Sequence, residues 1–208
     1  MTLADPSRSR ILLTGFGAFP GVPANATSQL VPVLAAEAMC RYPECDFQWD
    51  ILPVTWQGGP LASARLIETF DPHIVVHFGV SEGASGFVIE TLARNCCRAA
   101  PDAGGALPAL DLLDAYAPAG LQATLPCQTI VARLLDAGFP AELSEDAGAY
   151  LCNAVLFQTL MTVRPGVQAG FVHLPVRLDG IDAPISMEAA LRGGLAVLAA
   201  CLEPGNRG

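Results

Sequence analysis

The sequence predicts an α/β fold, a single-domain α/β/α sandwich around a largely parallel (mixed) central sheet. Two observations carry that reading. Short β-branched or aromatic runs alternate with longer Ala/Leu-rich stretches at helical spacing. The runs are also nearly continuous in apolar residues, as strands covered on both faces should be. Size agrees: 208 residues, 52% hydrophobic and 15% charged, hold ample material for one core. The domain is expected over 10–203, behind a flexible N-terminal segment, 1–9.

Taken in order, the expected strands are RILLTG (10–15), FQWDILPV (47–54), HIVVHFGV (73–80), FVIETLA (87–93) and QAGFVHLPV (168–176). Most are bounded by Gly, Pro or Asp, which punctuate strand ends. Helices are expected over 28–40, about 59–70, 127–138, roughly 147–163 and 186–202. The stretch 94–126 is rich in Pro, Gly and Ala with weak periodicity, and reads as a long irregular excursion.

Charge excludes several partners. Eleven basic and twenty acidic residues give a formal charge of −9, and every basic residue is an arginine. Such a chain offers no basic surface to nucleic acid or to an anionic membrane. No apolar run approaches the roughly 18 residues of a membrane span, and the opening MTLADPSRSR does not resemble a targeting signal. The expectation is a cytoplasmic protein. Seven cysteines lack the paired spacing of a zinc site and the even count of a disulfide framework. Most read as small buried hydrophobes, and one is a candidate nucleophile. The vicinal Cys96 and Cys97 admit a redox reading, which is set aside. His73 and His77 share a strand face but have no third ligand at metal spacing, so they read as structural or partly exposed and no metal site is expected.

In open α/β sheets ligands bind beyond the carboxyl ends of the strands. Four places lie there. The first loop, GFGAFPGVPANATS, begins like a dinucleotide fingerprint, but Pro20 occupies the position of the third glycine. Its phenylalanines, Phe16 and Phe19, either fold back onto the core or wall a small flat ligand. The second place follows HIVVHFG, at Gly79 and Val80. Glu90 is the third, an acid within an apolar segment that either faces water at an edge or accepts from an imidazole. The fourth is His173, near the end of a strand and before Pro175, a hydrogen-bonded core residue or a catalyst.

Cys152 lies in SEDAGAYLCNAVLFQTLM. If the helix starts at Ser144, the thiol sits two turns in. If Gly148 marks a delayed start, Cys152 falls in the first turn, where free N–H groups favour a thiolate and an oxyanion. Cysteine, histidine and an orienting carboxylate are the parts of an activated-thiol triad.

The order and surroundings of these pieces resemble the pyrrolidone-carboxylate peptidases (pyroglutamyl-peptidase I), a family of intracellular cysteine peptidases. The matching stretches are LLTGFGAFPGVPANATSQLV, FDPHIVVHFGVSEG, IETLARN, DAGAYLCNAVLFQTL and GFVHLPV, spread from about 10 to 200. The resemblance implies Cys152 as nucleophile, His173 as general base and acid, and Glu90 orienting His173. It implies Phe16 and Phe19 flanking a pyrrolidone ring, with backbone near Gly79 and Val80 reading its polar edge. The substrates would be small peptides with N-terminal pyroglutamate, no cofactor would be needed, and the assembly would be a homo-oligomer, a dimer or tetramer. Two departures stand out. The family carries Arg after its catalytic Glu, where Thr91 stands here, and the stretch CCRAAPDAGG is one residue shorter, with Arg98 standing in for the family's arginine. Two other readings are a thiol amidohydrolase acting on another lactam or acyl-amide, and a catalytically silent pyroglutamyl-binding homologue.

Overall fold

The computed structural model describes residues 8–203, so residues 1–7 of the expected N-terminal segment lie outside the described residues. In chain order the elements are β1 (Ser9–Phe16), α1 (Ala26–Arg41), β2 (Cys45–Leu52), α2 (Gly58–Phe70), β3 (Ile74–Ser81), β4 (Phe87–Glu90), β5 (Leu92–Arg94), β6 (Gly120–Gln122), α3 (Cys127–Asp136), β7 (Ala141–Ser144), α4 (Leu151–Thr162), β8 (Gln168–Pro175) and α5 (Met187–Cys201). Six strands form the main sheet in the order β2-β1-β3-β8-β4-β7. Pairings are parallel except β4 with β8, so the sheet is mixed, as expected.

Alternation along the strands builds two different layers. Ile11, Leu13, Val76, Phe78, Phe87, Ile89, Val172 and Leu174 face one way, into a core shared with Leu30 and Leu34 of α1, Ile130 and Leu134 of α3, and Val197 and Leu198 of α5. Thr14, Phe16, His77, Gly79, Phe171, His173, Val88 and Glu90 face the other way, toward α2 and α4. That second face mixes aromatic, polar and titratable residues. It is the face that holds the chemistry.

Three elements differ from the sequence expectation. The run 87–93 divides: β4 stays in the main sheet, while β5 leaves it and pairs with β6 in a separate ribbon. The strand β7 was not expected, since AELS is short, half-exposed and without an apolar face. The helix expected from 147 begins only at Leu151, because Ser144 ends a strand and the next residues form a turn. In that turn Ser144 Oγ accepts from Asp146 N, Asp146 Oδ1 accepts from Gly148 N, and Gly148 has φ +76°.

Candidate active site

The late start of α4 puts Cys152 second in the helix. Tyr150 is the N-cap in extended conformation, and the first intrahelical bond runs from Ala154 N to Tyr150 O. The first-turn N–H groups, Cys152's included, therefore have no partner within the helix and present partial positive charge at the sulfur. Close approach of α4 to the sheet needs Gly79: a Cβ there would lie 3.2 Å from Cys152 Sγ and 2.5 Å from Phe171 Cζ. A glycine at the end of β3 thus makes room for the nucleophile.

His173 comes from the centre of the sheet and Glu90 from its antiparallel neighbour. Val88 pairs with His173 and Glu90 with Phe171, so Glu90 sits diagonally from His173 on the same face. His173 Nδ1 and Glu90 Oε1 are 2.7 Å apart, with 6% and 1% of the two residues exposed. The other ring nitrogen is left for the Cys152 sulfur. Burial works against a charged ring, but the sulfur's negative charge and hydrogen bond, together with Glu90, hold His173 up to about 9. The proton therefore resides on the imidazole across the neutral range, beside the Cys152 sulfur.

These groups open onto a cleft of about 660 Å³ that also touches Phe16, Phe19, Gly79, Val80 and Arg98. The two phenylalanines resolve differently. Phe16 is 3% exposed and packs on Phe171 at 5.8 Å, whereas Phe19 is half-buried and stands 6.4 Å from the Tyr150 ring. Their loop is stiffened by paired backbone bonds between Phe19 and Val22, and by Asn25, whose side chain caps α1 and donates to Gly17 O. Arg98 is exposed at the rim, its guanidinium carbon 5.1 Å from the Tyr150 centroid. All eight residues singled out from the sequence thus line one cleft.

Residues to which the sequence gives no role in the site also surround it. Tyr150 forms one wall, edge-on to Trp56 at 5.2 Å. Behind the site His77 is wholly buried, bonded to Thr14 Oγ1 at 2.6 Å and Thr159 Oγ1 at 2.8 Å, and the latter meets Ser63 Oγ at 2.9 Å. Burial pushes His77 down to about 3, so it is a neutral structural ring. His73 accepts from Arg10 N at 2.9 Å. Cys97 is buried, its Sγ 2.7 Å from Leu110 O, and burial raises its thiol, with Asp111 and Cys96 adding to the effect. No group of three or more metal-ligating side chains occurs among the described residues. No helix among them is long and apolar enough to cross a membrane.

A helix start, an imidazole and a buried carboxylate around one sulfur share a single chemistry, activation of a thiol for acyl transfer. On this α/β frame they define a cysteine hydrolase. Residues 9–193 match the family model described as pyroglutamyl peptidase. The pyrrolidone-carboxylate peptidase of Gloeobacter violaceus is 35% identical over 194 residues, covering 88% of this chain and 92% of that one. That of Thermococcus litoralis is 32% identical over 176 residues, covering 83% and 79%. The solved pyrrolidone carboxyl peptidase from Thermococcus litoralis superposes with a TM-score of 0.82 at 28% identity, covering 93% of each chain. The chain belongs to the pyroglutamyl peptidase family.

Proposed function

We propose that the protein removes an N-terminal pyroglutamyl (5-oxoprolyl) residue from peptides by Cys-His-Glu nucleophilic catalysis. The observation that carries the reading is the 2.7 Å contact between His173 and Glu90 beside a sulfur in the first turn of α4. Cys152 Sγ attacks the carbonyl carbon that joins the pyroglutamyl group to the next residue. The resulting oxyanion faces the N–H of Cys152, a donor class whose loss costs about 10²–10³ in rate. His173 gives its proton to the leaving nitrogen as the C–N bond breaks, and a thioester remains. Water then attacks the thioester, passes a proton to His173, and frees pyroglutamate and the sulfur.

Specificity follows from the cleft wall. Phe16 and Phe19 offer apolar surface to a flat, neutral lactam, and backbone at Gly79 and Val80 meets its polar edge. A free N-terminal ammonium would lose hydration against the Phe16 and Phe19 wall, which disfavours ordinary peptides. Arg98 at the rim, over the Tyr150 ring, is a substrate-binding residue in this reading. Small pyroglutamyl peptides fit this arrangement, and the cleft leaves space for residues beyond the ring.

The same reading has the protein act in the cytoplasm as a homo-oligomer, a dimer or tetramer. Support comes from the family, from cysteines that form no disulfide among the described residues, and from exposed Leu107, Leu110, Leu112 and Tyr116 on the excursion. The deciding experiment compares a pyroglutamyl anilide with prolyl and free-amino analogues. Turnover confined to the first is expected. Comparable rates on all three would make the protein a broader thiol amidohydrolase, and pyroglutamate binding without turnover would make it a silent homologue. Sedimentation of the pure protein tests the assembly.

A further inference from the structure

We propose that Asn153 is a positioning residue for catalysis: it fixes the segment 94–98 against the start of α4, and with it Glu90 at one end and Arg98 at the other. The inference rests on the reading above for what those two residues do.

Asn153 follows the nucleophile, yet its side chain is wholly buried and lies outside the cleft. Its Oδ1 accepts from Arg94 N at 2.8 Å, and its Nδ2 donates to Arg94 O at 2.7 Å and Cys96 O at 3.1 Å. One side-chain amide thereby pairs with backbone in the manner of a strand, where the excursion has no regular neighbour on that side. Residues before Cys152 grip the same segment. Arg98 N donates to Ala149 O at 2.8 Å, and Tyr150 donates its hydroxyl to Pro101 O at 2.9 Å while its ring lies against the Arg98 guanidinium. Less than one helical turn on either side of the sulfur thus holds a single piece of chain.

That piece leads directly to the triad. Thr91, next to Glu90, gives both its N–H and its hydroxyl to Ser144 O, at 2.7 and 2.8 Å. Only Leu92 and Ala93 then separate this tie from the Asn153 tie at Arg94. With both ends of so short a span fixed, the distance from Cys152 to the Glu90–His173 pair depends on the Asn153 amide. Releasing it lets sulfur, ring and Arg98 drift relative to one another.

The test measures kcat and KM on a pyroglutamyl anilide for Asn153→Ala, Tyr150→Phe, Arg98→Ala and the Asn153→Ala/Arg98→Ala double variant, well below each melting temperature. Iodoacetamide alkylation of Cys152 against pH is followed in parallel, because it needs no substrate. Asn153→Ala is expected to lower kcat by about 10-fold to 100-fold, as misplacements near 1 Å do, with KM changed far less. Its alkylation near neutral pH should slow, and the double variant should lose little more than the larger single loss, since both act through one segment. A lowered melting temperature with unchanged kcat and alkylation would overturn the proposal, as would fully multiplicative losses in the double variant. If Asn153→Ala does not fold, Tyr150→Phe decides: a several-fold fall in kcat supports the latch, and wild-type kcat and alkylation refute it. Absence of turnover in the wild type would defeat the functional reading alone, leaving the alkylation profiles to judge Asn153.

Discussion

His173 and Glu90 meet across the one antiparallel pairing of the main sheet. Because β4 runs against β8, Glu90 lies two residue pairs deeper than His173, on the same face, and holds Nδ1, leaving the remaining ring nitrogen for the sulfur. The reversal of a single strand thus brings carboxylate and imidazole together on the face that opens onto the cleft. Cys152→Ser and His173→Ala are each expected to reduce kcat/KM by several orders of magnitude with the fold retained by circular dichroism. Glu90→Gln keeps the shape but removes the charge, and should be milder than either. Near-wild-type rates in Cys152→Ser would refute the mechanism.

Two buried histidines should shape stability against pH in opposite senses. His173 is raised from 6.5 to about 9, so it favours the folded state fully below pH 6.5 and loses that contribution as pH climbs toward 9. His77 is lowered to about 3, so its contribution is present above pH 6.5 and fades as pH falls toward 3, where the unfolded chain takes up the proton more readily. Urea midpoints across pH 4–9 are expected to peak near neutrality. His173→Ala should flatten the alkaline limb, and His77→Gln the acid limb. An acid limb unchanged in His77→Gln would assign the loss to other groups.

Gly79→Ala tests the close approach of α4 to the sheet. The added methyl would press on the Phe171 ring and on the sulfur itself. Overpacking of this kind costs about 1–3 kcal/mol, and the displaced thiol should cost activity as well. Thermal melts and kcat should both fall. Unchanged kcat would mean that Cys152 attacks from a different rotamer.

How much of this was legible beforehand depends on the range of the interactions. The strands β3 and β8 announce themselves because each is buried along most of its length and needs apolar residues throughout. The strand β7 does not, since an edge strand of four residues with Glu142 and Leu143 exposed has no pattern to show. The start of α4 was open between Ser144 and Gly148, and the hydrogen-bonded turn at 144–148 resolves it in favour of the glycine. The excursion 94–126 reads as irregular, but its order comes from buried polar side chains reaching far along the chain. Asp102 accepts from Trp56 N, Gly104 N and Ala106 N, and Asn95 accepts from Leu113 N and Asp114 N. The partners at Trp56, Leu113 and Asp114 are set by the folded path, so no local spacing betrays them. Tyr150 and Asn153 belong to the run DAGAYLCN that carries the resemblance, but their roles depend on the same kind of distant partner and so do not show in it.

Phe16 and Phe19 should separate stability from binding. Phe16 is in the core, against Phe171, and truncating a buried phenylalanine typically costs about 3–5 kcal/mol. Phe16→Ala should therefore melt well below the wild type. Phe19 is half-buried on the wall beside Tyr150, so Phe19→Ala leaves the core intact and removes contact area for the lactam. Its expected signature is a KM raised about 10-fold on a pyroglutamyl anilide, with melting temperature close to wild type; the size corresponds to roughly 1.4 kcal/mol of lost apolar contact. Contact made equally in ground and transition states moves KM and leaves kcat alone. An Ala variant at 19 with unaltered KM would remove Phe19 from the slot and leave Phe16 and Tyr150 as its aromatic walls.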